Sequence, residues 1–108
     1  MAVRSIIPIG DVKIYNNLFI FYYTLGDFGS AHELLYRYEN EYGDSYIPNA
    51  YRGILYIAEE NNKSQEKRDY AIVYDQYELA NRKLRSEDDK TIFKQLEKYV
   101  NELHEKGW

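Results

Sequence analysis

The chain has no cysteine. That excludes a disulfide framework, a thiolate nucleophile and any cysteine-ligated metal, and it fits a reducing compartment. Long hydrophobic runs are missing as well. Nothing approaches the roughly 20 consecutive apolar residues of a membrane span. Met1 to Gly10 carries one Arg and a short apolar run broken by Pro8, below the apolar core of about 7–15 residues that a signal peptide needs. The expected setting is therefore cytoplasmic, with no membrane partner. Convincing period-two alternation is absent too, apart from an extended lead at Ser5 to Ile9.

What is present fits a globular domain of ordinary size: 108 residues, 44% hydrophobic and 30% charged. A chain of that length buries roughly two-thirds of its unfolded surface, enough for a core without staples. The formal charge of −4 weighs against nucleic acid, because phosphate binding rests on clustered Lys and Arg. Basic residues do gather at Arg82-Lys83-Leu84-Arg85, but Glu87, Asp88 and Asp89 follow at once, as on a solvated, mixed-charge helix end. The unusual feature is tyrosine, 13 of the 108 residues. Its flat apolar body and polar tip suit both half-buried helix faces and binding surfaces.

Glycine and proline, 6 and 2 in number, read as helix punctuation. Asp11 is a plausible N-cap before an apolar stretch that stops at Gly26, and Gly is the natural left-handed residue at a helix C-terminus. Asp27 or Ser30 is expected to cap a second helix with the core stripe Ala31, Leu34, Leu35, Tyr38 and Tyr42, closed by Gly43. Pro48 suits a first helical position, and Tyr51, Ile54, Leu55 and Ala58 follow at helical spacing until Asn61-Asn62. Ser64 is expected to open a fourth helix with Tyr70, Val73, Tyr74, Tyr77, Ala80 and Leu84 on one side. Ser86 with Asp89 reads as a capping box for a last helix carrying Ile92, Phe93, Leu96, Tyr99, Val100 and Leu103, the cleanest amphipathic stripe in the chain. Gly107 ends it. The expected fold is all-α: about five helices in one domain over residues 1–108, as a hairpin at 11–43, a hairpin at 47–85 and a terminal helix at 87–106. Between Ile14 and Leu25 only Asn16, Asn17 and Thr24 are polar. A helix so apolar all round must be covered on more than one side, by the rest of the domain or by a partner.

The stretch from Val12 to Gly43 resembles a tetratricopeptide repeat, a helix–turn–helix unit of 34 residues with the pattern W-x2-L-G-x2-Y…A-x3-F…P. Tyr15-x2-Leu18 and Tyr22 stand at its aromatic, leucine and tyrosine positions, Leu25-Gly26-Asp27-Phe28 looks like the family's interhelix turn, and Ala31 and Leu35 follow in the second helix. The sequence departs from the pattern where Phe19 replaces the small glycine, Tyr38 the second small residue, and Gly43 the proline. Tyr51, Ile54 and Ala58 repeat the first-helix spacing, with Ala71 the small packing residue of the second hairpin. The terminal helix would then be the capping helix that gives an array its polar outer face. Arrays need about three repeats for independent stability, so two and a cap imply a minimal array, part of a larger one, or half of a dimer.

Chemistry-bearing motifs are incomplete. His32-Glu33 begins like a zinc-protease pair, but Tyr36 stands where the second His belongs. His104 lies in a last helical turn, where its cation suits the dipole. Asp27-Phe28-Gly29 spells a kinase magnesium motif without the glycine-rich and catalytic loops a kinase needs. Neighbouring carboxylates such as Glu59-Glu60 point apart on a helix and share no site. No enzymatic activity, metal or cofactor is expected. The resemblance implies instead a non-catalytic protein–protein interaction module that holds a peptide or partner helix in a Tyr-rich groove lined by first helices. Carried over by position, the partner-binding residues are Lys13, Asn16, Ile20 and Tyr23 with Asn49, Arg52, Tyr56 and Glu59, with Tyr23 and Tyr56 as anchors. Ile20 stands where a carboxylate clamp would need Asn, so no such clamp is expected. Two rivals stand beside this reading: a homodimerising structural domain with Phe19, Ile20 and Tyr23 outward, or a small regulatory protein inhibiting a larger protein machine. In neither case is direct nucleic-acid binding expected, since the residues before the first helix leave no room for a helix-turn-helix.

Overall fold

A computed structural model describes residues 11–43 and 45–108, and all side chains among them except those of Asp11 and Val12. The expected lead at Ser5 to Ile9 and the Asp11 cap lie outside the described residues. Among these there are five α-helices, one 3-10 turn and no strand, so the all-α helical-hairpin expectation holds. No described helix is long and apolar enough to cross a membrane. The chain divides into two compact units, Met1–Gly43 and Asp44–Trp108, and the division falls where the first hairpin was expected to end.

The first unit is a hairpin of α1 (Asp11–Leu25) and α2 (Phe28–Tyr42). Gly26, at φ +78°, lets the chain reverse. Its N–H donates to the Tyr23 carbonyl at 3.1 Å and the next N–H, of Asp27, to that of Tyr22 at 2.9 Å, the paired bonds that satisfy the last carbonyls of a helix. Asp27 then caps α2. Its carboxylate accepts from the Ser30 N–H at 3.2 Å and the Ser30 hydroxyl at 2.7 Å, which gives an orphan N–H of the first turn its acceptor. Ala31, Leu34, Leu35 and Tyr38 of α2 are buried with Tyr15 and Phe19 of α1. The Tyr15 ring meets those of Tyr38 and Tyr42 edge-on, at 5.3 and 5.9 Å between centroids, a geometry aromatic quadrupoles favour. Tyr42, placed in the core stripe by its spacing, is 40% exposed because α2 ends with it.

In the second unit, α3 (Tyr46–Asn61) is the central helix, and α4 (Ala71–Lys83) and α5 (Thr91–Glu105) both pack on it. Ser45 caps α3 by accepting from the Ile47 N–H at 3.3 Å. Pro48 is the third helical residue, not the first; it is tolerated there because first-turn N–H groups have no intrahelical acceptor anyway. Ala50 and Leu55 are fully buried and Gly53 lies against Leu96 of α5. The helix buried on several sides is thus α3. Its small residues admit neighbours, whereas α1 leaves Ile14, Ile20, Phe21 and Leu25 about half exposed.

Two helix starts differ from expectation. Ser64 opens only a 3-10 turn, Gln65–Lys67, and α4 begins at Ala71. Residues 65–69 are all polar, so a helix there would bury nothing, and the segment is tied back instead. The Glu60 carboxylate accepts from the Asp69 N–H at 2.8 Å and from Lys63 Nζ at 2.7 Å. Arg68 donates to the Lys63 and Asn61 carbonyls, each at 3.0 Å, and the Tyr70 hydroxyl to Asn61 Oδ1 at 2.6 Å. Ala71 is consequently exposed, and Ala80 is the fully buried small residue of α4. The Ser86–Asp89 capping box is likewise not formed. Asp88 accepts from the Arg85 N–H at 2.8 Å, and Asp89 accepts from the Thr91 N–H and hydroxyl at 3.0 and 2.6 Å. Such local side-chain bonds stabilise turns in competition with helix, and α5 starts only at Thr91. The Tyr46 hydroxyl donates to the Asp89 carbonyl and fastens this turn to the start of α3.

Phe93, Leu96, Val100 and Leu103 of α5 are buried as their spacing requires, with Ile92 and Tyr99 at the edge. The chain turns off at Gly107, φ +91°, with the Trp108 N–H on the Leu103 carbonyl at 2.9 Å. The Trp108 ring then meets Tyr70 edge-on at 4.9 Å.

Candidate functional site

Among the described residues no group of three or more His, Asp or Glu is placed to hold a metal ion. In the Asp27-Phe28-Gly29 segment Asp27 is the N-cap of α2, with its carboxylate engaged in capping, and Phe28 and Gly29 open the helix. His104 is exposed at the end of α5, its ring 5.1 Å from that of Tyr74. Perturbed groups have structural causes. The Lys63 hydrogen bond, then that of the Asp69 N–H, holds the Glu60 carboxyl below its ordinary range. Burial raises the Tyr74 and Tyr77 phenols, Tyr77 also through its 2.8 Å bond to Glu97. A surface hollow of about 510 Å³ is lined by Lys94, Glu97, Lys98, Asn101, Glu102 and Glu105. All six belong to α5, so it is a furrow between side chains of one solvated helix, with mixed charge.

The residues singled out for partner binding divide between the two units. In the first, Lys13 and Ile20 are exposed, Ile20 by 56%, while Asn16 and Tyr23 are half-buried. The Tyr23 ring lies 5.9 Å from Phe19 and 6.4 Å from Phe28, so much of it belongs to the hairpin. In the second, Tyr56 and Glu59 are half-buried, but Asn49 and Arg52 are buried, at 4% and 7% exposure. Asn49 donates to Gln76 Oε1 at 2.9 Å and accepts from Lys83 Nζ at 2.8 Å. Both partners come from α4, so this amide fastens α3 to α4 and offers nothing to a groove. Helical position alone could not reveal this, because a second helix packs over the face that the repeat pattern leaves open. Phe19 is corrected in the same way. At 3% exposure it is core, and the outward set Phe19, Ile20, Tyr23 reduces to Ile20 and part of Tyr23.

Sequence reasoning missed three other residues. Ile14, Phe21 and Leu25 are 49%, 55% and 64% exposed. At 3.6 residues per turn they lie with Ile20 on one arc of roughly 140°, opposite the buried Tyr15 and Phe19. Lys13, Asn17 and Thr24 share the arc. The available signal was the aromatic pair Tyr15/Phe19. Once those rings are assigned to the tyrosines of α2, the remaining apolar side chains of an all-apolar helix must face outward. The arc is nearly free of charge. Lys13 is its one basic residue, and the last turn of α1 has none. Large apolar side chains gathered on a polar-rimmed face are the usual mark of an interaction surface.

No family model, curated protein or solved structure matches this chain.

Proposed function

We propose that the protein is a non-catalytic, tetratricopeptide-like interaction module whose docking surface is the outer face of α1. The observation carrying this reading is that Ile14, Ile20, Phe21 and Leu25 stand about half exposed on one helical arc. Together they expose several hundred Å², within the about 300–600 Å² typical of the largest, often functional, patch on a monomer. A partner suited to it is an amphipathic helix, whose apolar stripe lies along α1 and whose anchors fall at i, i+3/i+4 and i+7. Phe21 supplies the central aromatic anchor, with Ile20 and Leu25 beside it. The groove centred on Tyr23 and Tyr56 gives way to this face, because Tyr23 spends much of its ring on Phe19 and Phe28.

The test is selection from a displayed library of helical peptides against the wild-type chain. Enriched peptides are expected to share an apolar stripe at helical spacing and to bind the Phe21→Lys/Leu25→Lys variant at least about 30-fold more weakly, the scale of a lost hot spot. Lys98→Glu, on the α5 furrow, serves as control. No enrichment, or binders indifferent to the α1 substitutions, refutes the reading.

A further inference from the structure

We propose that the partner lying on the α1 face is the α1 face of a second copy, the two helices running antiparallel across a two-fold axis. This rests on the reading of that face as an interaction surface and specifies its occupant. Three observations favour a second copy in this orientation. The arc carries Ile14, Asn17, Phe21 and Thr24 at successive spacings of three and four, flanked by Ile20 and Leu25. That is the seam spacing at which like helices interdigitate.

The charge layout fixes the direction. Lys13 stands in the first turn of α1, where its cation opposes the helix dipole, while the last turn has no basic residue and Asp27 follows directly. In an antiparallel pair each Lys13 lies toward the C-terminal end of the partner's α1 and the Asp27 charge, a favourable placement for a cation. A parallel pair would bring the two Lys13 cations together. Asn17 and Thr24 are the polar positions of the seam, and polar seam residues set register at some expense of affinity. Four half-exposed apolar side chains on one helix make a small patch beside the roughly 800 Å² per partner of a standard interface, so the pair is expected to exchange reversibly with monomer.

The experiment measures molar mass by light scattering on the full chain, from low micromolar to near-millimolar protein. A mass rising from monomer to dimer is expected. Phe21→Lys should raise the dimer dissociation constant roughly 30-fold or more, with the helical circular dichroism of the monomer unchanged, since Phe21 is exposed. Direction is read from disulfide trapping, which the absence of native cysteine makes clean. In a mixture of Lys13→Cys and Thr24→Cys chains, cross-links between unlike chains should dominate. Predominant Lys13→Cys self-cross-links overturn the antiparallel arrangement. A monomer at every concentration overturns the second copy as occupant yet leaves the peptide selection to judge the α1 surface. A dimer indifferent to Phe21→Lys overturns the placement of the interface.

Discussion

Gly53→Ala probes the closest approach in the second unit, and the sign of its effect should depend on one other residue. A Cβ built at Gly53 falls 2.8 Å from both δ carbons of Leu96, whereas carbon pairs prefer about 3.5–4.0 Å. Leu96 is fully buried, so neither branch swings away freely, and such overpacking costs about 1–3 kcal/mol. Against it stands the helix propensity gained when Ala replaces a mid-helix Gly, about 1 kcal/mol. The net expectation is a destabilisation of about 1 kcal/mol. Leu96→Ala by itself should cost about 2–5 kcal/mol through lost burial and a cavity. In that background the clash disappears, and Gly53→Ala should become stabilising by about 1 kcal/mol. Urea denaturation of the four chains, followed by circular dichroism, measures the cycle, and the coupling should be about 1–3 kcal/mol. If Gly53→Ala stabilises equally in both backgrounds, Leu96 does not confine this position and the argument fails.

Two further perturbations test groups with unusual environments. Because the folded Glu60 carboxyl sits below its ordinary pKa of 4.5, its contribution is intact above that pH and is lost as pH falls through the folded value. Acid-dependent unfolding measured below pH 4.5 should therefore be less steep in Glu60→Gln, and an unchanged slope would dissociate Glu60 from acid sensitivity. Tyr74 and Tyr77 should separate. The buried Tyr74 hydroxyl has no hydrogen-bond partner among the described residues, so Tyr74→Phe should be neutral or stabilise by up to about 1 kcal/mol. Tyr77→Phe gives up the Glu97 bond and should cost about 0.5–1.5 kcal/mol by denaturation. Both phenols are raised above 10, so the stability they carry is intact below the ordinary tyrosine pKa and declines as pH climbs past it. Each substitution should remove one late component from an ultraviolet titration of tyrosine.

The parts of the fold legible in the sequence were those decided locally. Gly26, Gly43 and Gly107 all take positive φ where a helix ends, because only Gly adopts that conformation without strain. Of the two caps the sequence offered, Asp27 and Ser30, Asp27 is the one used, and the α5 stripe is buried at Phe93, Leu96, Val100 and Leu103. Helix starts were less legible wherever a side chain had a choice of backbone partner. Ser64 and the Ser86/Asp89 pair have good capping chemistry, but Glu60 and Arg68 in one loop and Asp88 and Asp89 in the other hold the backbone in turns. Apolar content marked α1 as a helix needing cover but left open whether the domain or a partner supplies it. α3, with Ala50 and Gly53, lets neighbours come close, while the bulky α1 keeps one face outside. For the site the same limit applied. Periodicity places Asn49 and Phe19 on faces, but which face a second helix covers depends on tertiary packing.

The Tyr70–Trp108 contact makes the two halves of the chain spectroscopically distinct. The protein's single tryptophan lies in the unit Asp44–Trp108, its indole 41% exposed and edge-on to Tyr70 at 4.9 Å. Selectively excited indole emission should shift to the red when Trp108 leaves that ring, so a fluorescence melt follows this half, while the first hairpin, with tyrosine and phenylalanine only, is silent. Circular dichroism, by contrast, sums over helices of both units, the five described ones among them. Superimposable curves from the two signals would identify one cooperative transition; separated midpoints would give the α1–α2 hairpin a stability of its own, obtained without labelling or mutation.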